Sequence, residues 1–266
     1  MTSLTQIVRQ IVAPTAQSGL HVEVGADWAQ GRTLFGGLIA ALGNAAMRGL
    51  VPERPLRALH TVYIGPNSPG TVYFEPTIAR AGKAVTLASC TVKSGGELSA
   101  TVSAVYGAAR ESMLDIEPRP VDGVAPPEQF TDVPVRAGLP TFTQHYCQRW
   151  ARGAWPFSRA TASDMSVYVR YRNEDTDMLT EAHALALMDA IPSPALALMH
   201  TPSPASTLTW TLDILDPRFD FGANEWWRLD AWVDAADGGY VVHSSHVVNP
   251  AGRVAAISRQ VVAVYG

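Results

Sequence analysis

The chain has 266 residues, of which 47% are hydrophobic and 17% charged, and its formal net charge is -4. This composition supports a sizeable core and excludes an intrinsically disordered chain. A small negative charge without a Lys/Arg run argues against nucleic acid as a partner. No stretch reaches the ~18 uninterrupted apolar residues of a membrane span, and the first twelve residues lack a signal-peptide pattern, so we expect a cytoplasmic protein. Cys90 and Cys147 fit free thiols in a reducing compartment, and their spacing predicts no metal site.

The first half of the chain predicts a long buried helix followed by strands. Residues 3–12 have helical periodicity, and residues 20–24 alternate as a strand does. Residues 34–47, with Gly36-Gly37 near their start, are apolar all round, which is typical of a buried helix. Strands are then predicted at 56–64, 71–80, 84–93 and 97–106. This order predicts an α+β unit in which a sheet is wrapped round one central helix.

The middle of the chain differs in composition from both flanks. Residues 108–141 contain six prolines and few large apolar residues, which is typical of a linker that crosses the surface. We therefore divide the chain into an N-terminal unit (1–107), a proline-rich linker (108–141) and a C-terminal unit (142–266).

The second half predicts a similar order of elements. Strands near 142–150 and 164–172 precede a helix at about 178–191. Pro192 should kink or end this helix, because proline lacks the N–H of a helical hydrogen bond. Further strands are predicted at 206–215, 225–234, 239–248 and 253–265.

Short matching segments indicate an internal duplication. Leu185–Ala190 aligns with Ala40–Ala45, and both halves end in the same four residues, Ala-Val-Tyr-Gly. In this alignment Asp189 of the second half matches Asn44 of the first. A carboxylate in one copy and an amide in the other suggests one active site rather than two.

Three segments of the first half resemble a hotdog domain. They are Phe35-Gly36-Gly37 at the start of the central helix, Leu59–Pro66 in the next strand, and the hairpins that end in Tyr106-Gly107. Two such units joined by a proline-rich linker are similar to the acyl-CoA thioesterase II-like (TesB-like) double-hotdog family. Where that family commonly has glutamine after the glycine pair, this chain has Leu38.

The resemblance implies a double hotdog, in which two antiparallel sheets are each wrapped round a long central helix. It also implies hydrolysis of acyl-CoA thioesters to free acid and CoA by an activated water, without a cofactor. An Asp, a Thr or Ser and a Gln hold that water in the family, and by position they match Asp189, Thr207 and Gln260. CoA would lie along a surface groove, where basic side chains are candidates for its phosphates: Arg57, Arg152 and Arg159.

Asp189 and Thr207 also stand out without the family. Asp189 interrupts an otherwise apolar helix, and aspartate is rarely buried unless it is satisfied or functional. The alternative is an exposed Asp, or one that caps the turn at Pro192. Period-two spacing puts four polar residues on one strand face: Thr207, Thr209, Thr211 and Asp213. A solvent-facing row is the alternative, and it is the better interpretation for Thr211 and Asp213. Thr207 lies nearest the preceding loop and helix end and is the better site candidate, with Thr209 as the fallback.

The remaining candidates concern the substrate. The Gln260 amide can donate to and accept from one water, although glutamine is also common on sheet surfaces. Gly36 and Gly37 would let a substrate approach the backbone, and N–H groups at a helix start can bind a thioester oxyanion. A tight helix–sheet crossing explains the glycines equally well. His60 could face the cleft and contact substrate, or be a satisfied core histidine.

Two other functions remain open from the sequence alone. The same fold could serve a non-catalytic acyl-CoA or acyl-ligand binding protein. A hotdog dehydratase would need a catalytic histidine on the central helix, where His183 lies near the start. No Gly-x-Ser-x-Gly motif supports a serine nucleophile. We also expect association into a homo-oligomer through exposed sheet faces or edges.

Overall fold

One antiparallel sheet of eleven strands forms most of the molecule. The computed structural model describes residues 1–12, 20–114, 116, 118 and 121–265. Its α-helices are α1 (Leu4–Val12), α2 (Gly36–Arg48) and α3 (Glu181–Leu187). Its strands are β1 (Leu20–Val24), β2 (Ala29–Gln30), β3 (Thr33–Leu34), β4 (Leu56–Tyr63), β5 (Gly70–Ala81), β6 (Val85–Ser94), β7 (Glu97–Gly107), β8 (Tyr146–Arg152), β9 (Met165–Tyr171), β10 (Ala205–Ile214), β11 (Trp227–Asp237), β12 (Tyr240–Val248) and β13 (Val254–Val264).

The two halves of the chain join into one sheet through β4 and β10. The strand order is β1-β5-β6-β7-β4-β10-β13-β12-β11-β9-β8, and every neighbouring pair is antiparallel. At the junction Leu59 pairs with Leu212 and Thr61 pairs with Trp210, and all four side chains are buried. The predicted α+β double hotdog with antiparallel sheets is therefore confirmed.

Two helices of opposite direction lie against each other in the core. Gly37, near the start of α2, lies against Asp189 just beyond the end of α3. Asn44, in the second half of α2, donates a hydrogen bond to Glu181 at the start of α3. Helix α2 is buried along nearly its whole length, as its uniformly apolar sequence predicts.

The second central helix is shorter than predicted. The sequence indicated a helix over 178–191, whereas α3 spans only Glu181–Leu187. A capping box between Thr180 and His183 starts the helix. Pro192 disfavours helical geometry in the residue before it, so a helix that extends to residue 191 is unfavourable. Asp189 therefore lies in a turn after the helix rather than within it.

The strand predicted near 142–150 also begins later than expected. Thr141–His145 forms a 3-10 turn, and the strand runs from Tyr146 to Arg152. The described part of the preceding linker contacts the second half: Tyr168 donates to the Ala125 carbonyl over 2.9 Å. The division into two units and a linker stays a prediction, and Pro120 and Gly266, on which parts of it depended, lie outside the described residues.

Two further expectations concern the cysteines and membrane-spanning helices. Cys90 and Cys147 are both free and buried. Within the described residues, none of the helices has the length and the hydropathy that crossing a lipid bilayer requires.

Candidate active site

Asp189, Gln260 and Thr207 form a continuous chain of hydrogen bonds. The Gln260 Nε2 atom donates to Asp189 Oδ1 over 2.7 Å. The Thr207 hydroxyl donates to Gln260 Oε1 over 3.0 Å. The structure thus brings together all three residues that the sequence singled out, with Gln260 between the other two.

A β-bulge turns Thr207 toward this site. Thr207 pairs with Val262 and Thr209 pairs with Val261, so Leu208 has no counterpart on β13. A bulge of one residue shifts the alternation of side chains along a strand. Thr207 therefore shares the face of Val262 and Gln260, while Thr209 lies on the opposite face. The expectation that Thr207 and Thr209 share one face is wrong, because simple period-two spacing ignores the bulge.

The glycine pair at the start of α2 lies directly against Asp189. A Cβ atom on Gly37 would lie 2.7 Å from Asp189 Cβ and 2.9 Å from the Ala186 carbonyl oxygen. A Cβ atom on Gly36 would lie 3.2 Å from Asp189 Oδ2. The interaction of the Gly37 N–H with the Asp189 carboxylate lowers the pKa of that carboxyl group. The glycines thus permit close contact between the helix start and the carboxylate.

The environment of Asp189 favours its neutral form. The residue as a whole is half-buried, but its carboxyl group is enclosed by protein, and this burial raises its pKa to about 7. The hydrogen bond from Gln260 and the interaction with the Gly37 N–H both stabilise the carboxylate and lower its pKa, but burial outweighs them. A carboxyl group with a pKa near 7 is suited to accept a proton at neutral pH.

Tyr63 is a neighbour of the site that the sequence did not reveal. Its hydroxyl donates to the Gly36 carbonyl over 2.9 Å. Burial and, next, the charge of Asp189 raise the pKa of Tyr63 well above its usual value, so the phenol stays protonated. A tyrosine at the end of an apolar strand carries no sequence signal that distinguishes it from a core residue. Gln148 supports the same region, because its amide donates to the Ala190 carbonyl over 2.5 Å.

The structure does not bring His60 to this site. His60 is exposed, and its Nδ1 atom lies 2.8 Å from the Thr211 hydroxyl oxygen on the outer face of the sheet. The register of β4 shifts between Leu56 and Ala58, so that Leu59 rather than Ala58 is buried. The expectation that His60 faces the cleft assumed an unbroken alternation from Ala58.

The other basic and histidine candidates lie outside the hydrogen-bond chain of Asp189, Gln260 and Thr207. Arg57 donates to the Gly107 carbonyl over 3.0 Å, and Arg152 forms an exposed ion pair with Asp164 at 3.3 Å. Arg159 is exposed and has a left-handed backbone. His183 is buried near the start of α3 within 3.2 Å of Glu174, at the opposite end of the helix from Asp189. His183 is therefore not part of the Asp189 site.

The first-half counterpart of Asp189 is part of a structural network. Asn44 accepts a hydrogen bond from Tyr106 over 2.7 Å and donates to Glu181 over 2.5 Å. Arg48 binds the same Glu181 carboxylate through two nitrogens, at 2.7 and 2.5 Å. A cleft of about 650 Å³ opens beside these residues, away from Asp189. The carboxylate there is held by an arginine, so the two ends of the helix pair differ chemically.

Two family models match the sequence. The acyl-CoA thioesterase N-terminal domain matches residues 24–107, and the acyl-CoA thioesterase C-terminal domain matches residues 121–264. This chain belongs to the acyl-CoA thioesterase family. It is therefore a thioesterase, and its resemblance to TesB-like proteins is confirmed. No curated protein matches the sequence.

Solved structures share the fold of this thioesterase. A protein of unknown function with a hot dog fold from Alicyclobacillus acidocaldarius is 26% identical, with a TM-score of 0.84, and the match covers 97% of this chain and 98% of that one. The acyl-CoA thioesterase II TesB2 of Mycobacterium marinum is 17% identical, with a TM-score of 0.73 and coverage of 97% and 98%. The tesB protein of Mycobacterium avium subs paratuberculosis is 13% identical, with a TM-score of 0.77 and coverage of 99% and 100%. The matches extend over both halves of each chain.

Proposed function

We propose that this thioesterase hydrolyses acyl-CoA to free acid and CoA, with Asp189 as the general base for water. The observation that carries the proposal is the setting of Asp189. Its carboxyl group has a pKa raised to about 7 by burial, receives a hydrogen bond from Gln260, and lies against the start of α2. A base whose pKa is near the working pH is partly deprotonated at that pH and still has enough proton affinity to take a proton from water.

The proposed reaction needs one water and no cofactor, because a thioester is already activated. Asp189 takes a proton from the water as the water oxygen attacks the thioester carbonyl carbon. The resulting tetrahedral oxyanion collapses, the carbon–sulfur bond breaks, and the CoA sulfur takes the proton from Asp189. The products are the free acid and CoA, and the carboxylate is restored.

Thr207 and Gln260 would hold the carboxylate and the water in position. Gln260 donates one amide hydrogen to Asp189 Oδ1, which leaves Oδ2, on the side of Gly36, for the water. Thr207 fixes the amide from its other end. Ordered donors and acceptors of this kind favour the attacking geometry without reorganisation during the reaction.

Backbone N–H groups of the first turn of α2 are our candidates for the oxyanion. The first N–H groups of a helix have no partner within the helix and carry partial positive charge. Because the Gly37 N–H interacts with the Asp189 carboxylate, we assign the oxyanion to the Gly36 N–H. The absence of a side chain at Gly36 lets the substrate carbonyl approach this group.

Membership of a thioesterase family favours an enzyme over a non-catalytic acyl-ligand binding protein. The direct test is thiol release from a panel of acyl-CoAs that differ in chain length, with free CoA detected by a thiol reagent. We expect turnover of at least one member of the panel, and Asp189→Asn should lower it by about 10²–10⁴-fold. A protein that binds acyl-CoA but releases no CoA from any member would contradict the proposal.

A further inference from the structure

His243 lies directly opposite Gln260 on the neighbouring strand β12. Residues paired in this way point to the same face, with Cβ atoms about 4.5–5.5 Å apart. Both side chains are buried, with 7% of His243 and 8% of Gln260 exposed. The imidazole is therefore within reach of the amide that holds Asp189.

His243 has no hydrogen-bond partner of normal geometry among the described residues, at either ring nitrogen. Its neighbours on the same face include Val233, opposite it on β11, and Val241. A buried polar group without a partner is costly, and proteins seldom retain one without a reason. An apolar ring would fill the same space, so packing alone does not explain the two ring nitrogens.

One amide hydrogen of Gln260 is not used by Asp189 or Thr207. Its Oε1 atom accepts from Thr207, and its Nε2 atom uses one hydrogen for Asp189. A primary amide nitrogen carries two hydrogens, so the second is available to an acceptor. The unprotonated nitrogen of a neutral imidazole is such an acceptor.

We propose that His243 is a positioning residue, which accepts the second amide hydrogen of Gln260 and fixes the orientation of the amide. This inference rests on the proposed function. If the amide turned over, Gln260 Oε1 would face the Asp189 carboxylate, and both groups are acceptors. Burial lowers the pKa of His243 to about 4, so the ring is neutral and keeps an acceptor nitrogen at neutral pH.

His246 offers a matched control on the same strand. It lies three residues along β12, on the opposite face, and packs edge-on against Trp232 with ring centroids 5.1 Å apart. Its Nδ1 atom also lacks a partner among the described residues. His246→Phe therefore removes the same groups as His243→Phe at a position away from Gln260.

The experiment compares kcat, KM and melting temperature for His243→Phe, His246→Phe, Gln260→Ala and the double variant His243→Phe/Gln260→Ala. We expect His243→Phe to lower kcat about tenfold with little change in KM, and to lower the melting temperature, because the second amide hydrogen of Gln260 loses its acceptor. His246→Phe should keep the wild-type kcat. In the Gln260→Ala background, His243→Phe should cause no further loss, because its only effect is through that amide.

His243→Asn is the second variant, since an asparagine carbonyl can replace the acceptor nitrogen. It should recover most of the activity that His243→Phe loses. A wild-type kcat in His243→Phe, or a full loss added to that of Gln260→Ala, would overturn the role of His243 while leaving the proposed function intact. A wild-type rate in Gln260→Ala would overturn the positioning roles of both Gln260 and His243, whereas only a wild-type rate in Asp189→Asn, or no thiol release by the wild type, would overturn the proposed function.

Discussion

A Cβ atom on Gly37 would lie 2.7 Å from the Cβ atom of Asp189. It would also lie 2.8 Å from the Phe35 ring and 2.9 Å from the Ala186 carbonyl oxygen. Contacts under 3.0 Å with backbone and with a stacked ring force the two helices apart. The contact between a helix start and the residue after another helix is therefore possible only with glycine at this position.

Gly37→Ala should move Asp189 away from the start of α2. We expect kcat to fall by about 10²-fold, because small displacements of a catalytic group have effects of that size. Overpacking should also lower the free energy of unfolding by about 2 kcal/mol. Gly65→Ala is the control, since a Cβ there has its nearest neighbour at 3.5 Å. Steady-state kinetics and urea unfolding measure both effects, and an active, fully stable Gly37→Ala would contradict the proposed packing.

The bulge at Leu208 predicts different behaviour for two threonines of the same strand. Thr207→Ala should lower kcat by about tenfold, because it removes the hydrogen bond to Gln260. Thr209→Ala, on the opposite face, should leave kcat unchanged. The double variant Thr207→Ala/Gln260→Ala should lose less than the product of the two single effects, because the residues act in one chain. Equal losses for Thr207→Ala and Thr209→Ala would count against the bulge as a functional feature.

Asn44 should matter for stability rather than chemistry. Asn44→Ala leaves the buried Tyr106 hydroxyl without its acceptor and removes a donor to Glu181. Loss of such buried hydrogen bonds costs about 1–3 kcal/mol of unfolding free energy. Because Asn44 lies at the other end of the helix pair, kcat at a permissive temperature should stay within about twofold of wild type. Loss of turnover in a folded variant with normal substrate affinity would mean that this end contributes to catalysis.

Most elements could be predicted from the sequence, because their periodicity and turn residues are local. The order of helix and strands in both halves follows from these signals. Asp189, Thr207 and Gln260 were found by position, and the structure brings them into one chain of hydrogen bonds. Their catalytic roles stay a prediction.

The remaining features depend on strand pairing, which a single sequence does not contain. The bulge at Leu208 lies in the pairing of β10 with β13, and the shift between Leu56 and Ala58 lies in the pairing of β4 with β7. Each one changes which side chains face the core. For this reason Thr207 faces the site and His60 does not. The pairing of His243 with Gln260 likewise depends on the register of β12 and β13. Only a turn separates these two strands in the sequence, but they could pair in several registers.

The pKa of Asp189 predicts the pH dependence of turnover. Below a pH of about 7 the carboxyl group is increasingly protonated and cannot accept a proton from water. We therefore expect kcat/KM to fall toward acid pH with an apparent pKa near 7 in the free enzyme. A pH–rate profile at constant ionic strength measures this limb. A flat profile down to pH 5 would exclude a base with a raised pKa.

The raised pKa of Asp189 also predicts the pH dependence of stability. An aspartate in the unfolded chain ionises at about pH 4, whereas Asp189 in the folded protein retains its proton up to about pH 7. Between these values the folded state binds more protons, so the contribution of Asp189 to stability decreases as pH rises. Asp189→Asn removes this contribution. The unfolding free energy of Asp189→Asn relative to wild type should therefore be higher at pH 8 than at pH 5, as measured by urea titration.

The most direct test of the account is the kcat of purified, folded Asp189→Asn with an acyl-CoA that the wild type hydrolyses. Asparagine keeps the size of the side chain and removes its basicity, so we expect kcat to fall by about 10²–10⁴-fold with little change in KM. Asp213→Asn, at an exposed position on β10, should behave as wild type. Hydrolysis by Asp189→Asn at the wild-type rate would contradict the central claim that Asp189 activates the water.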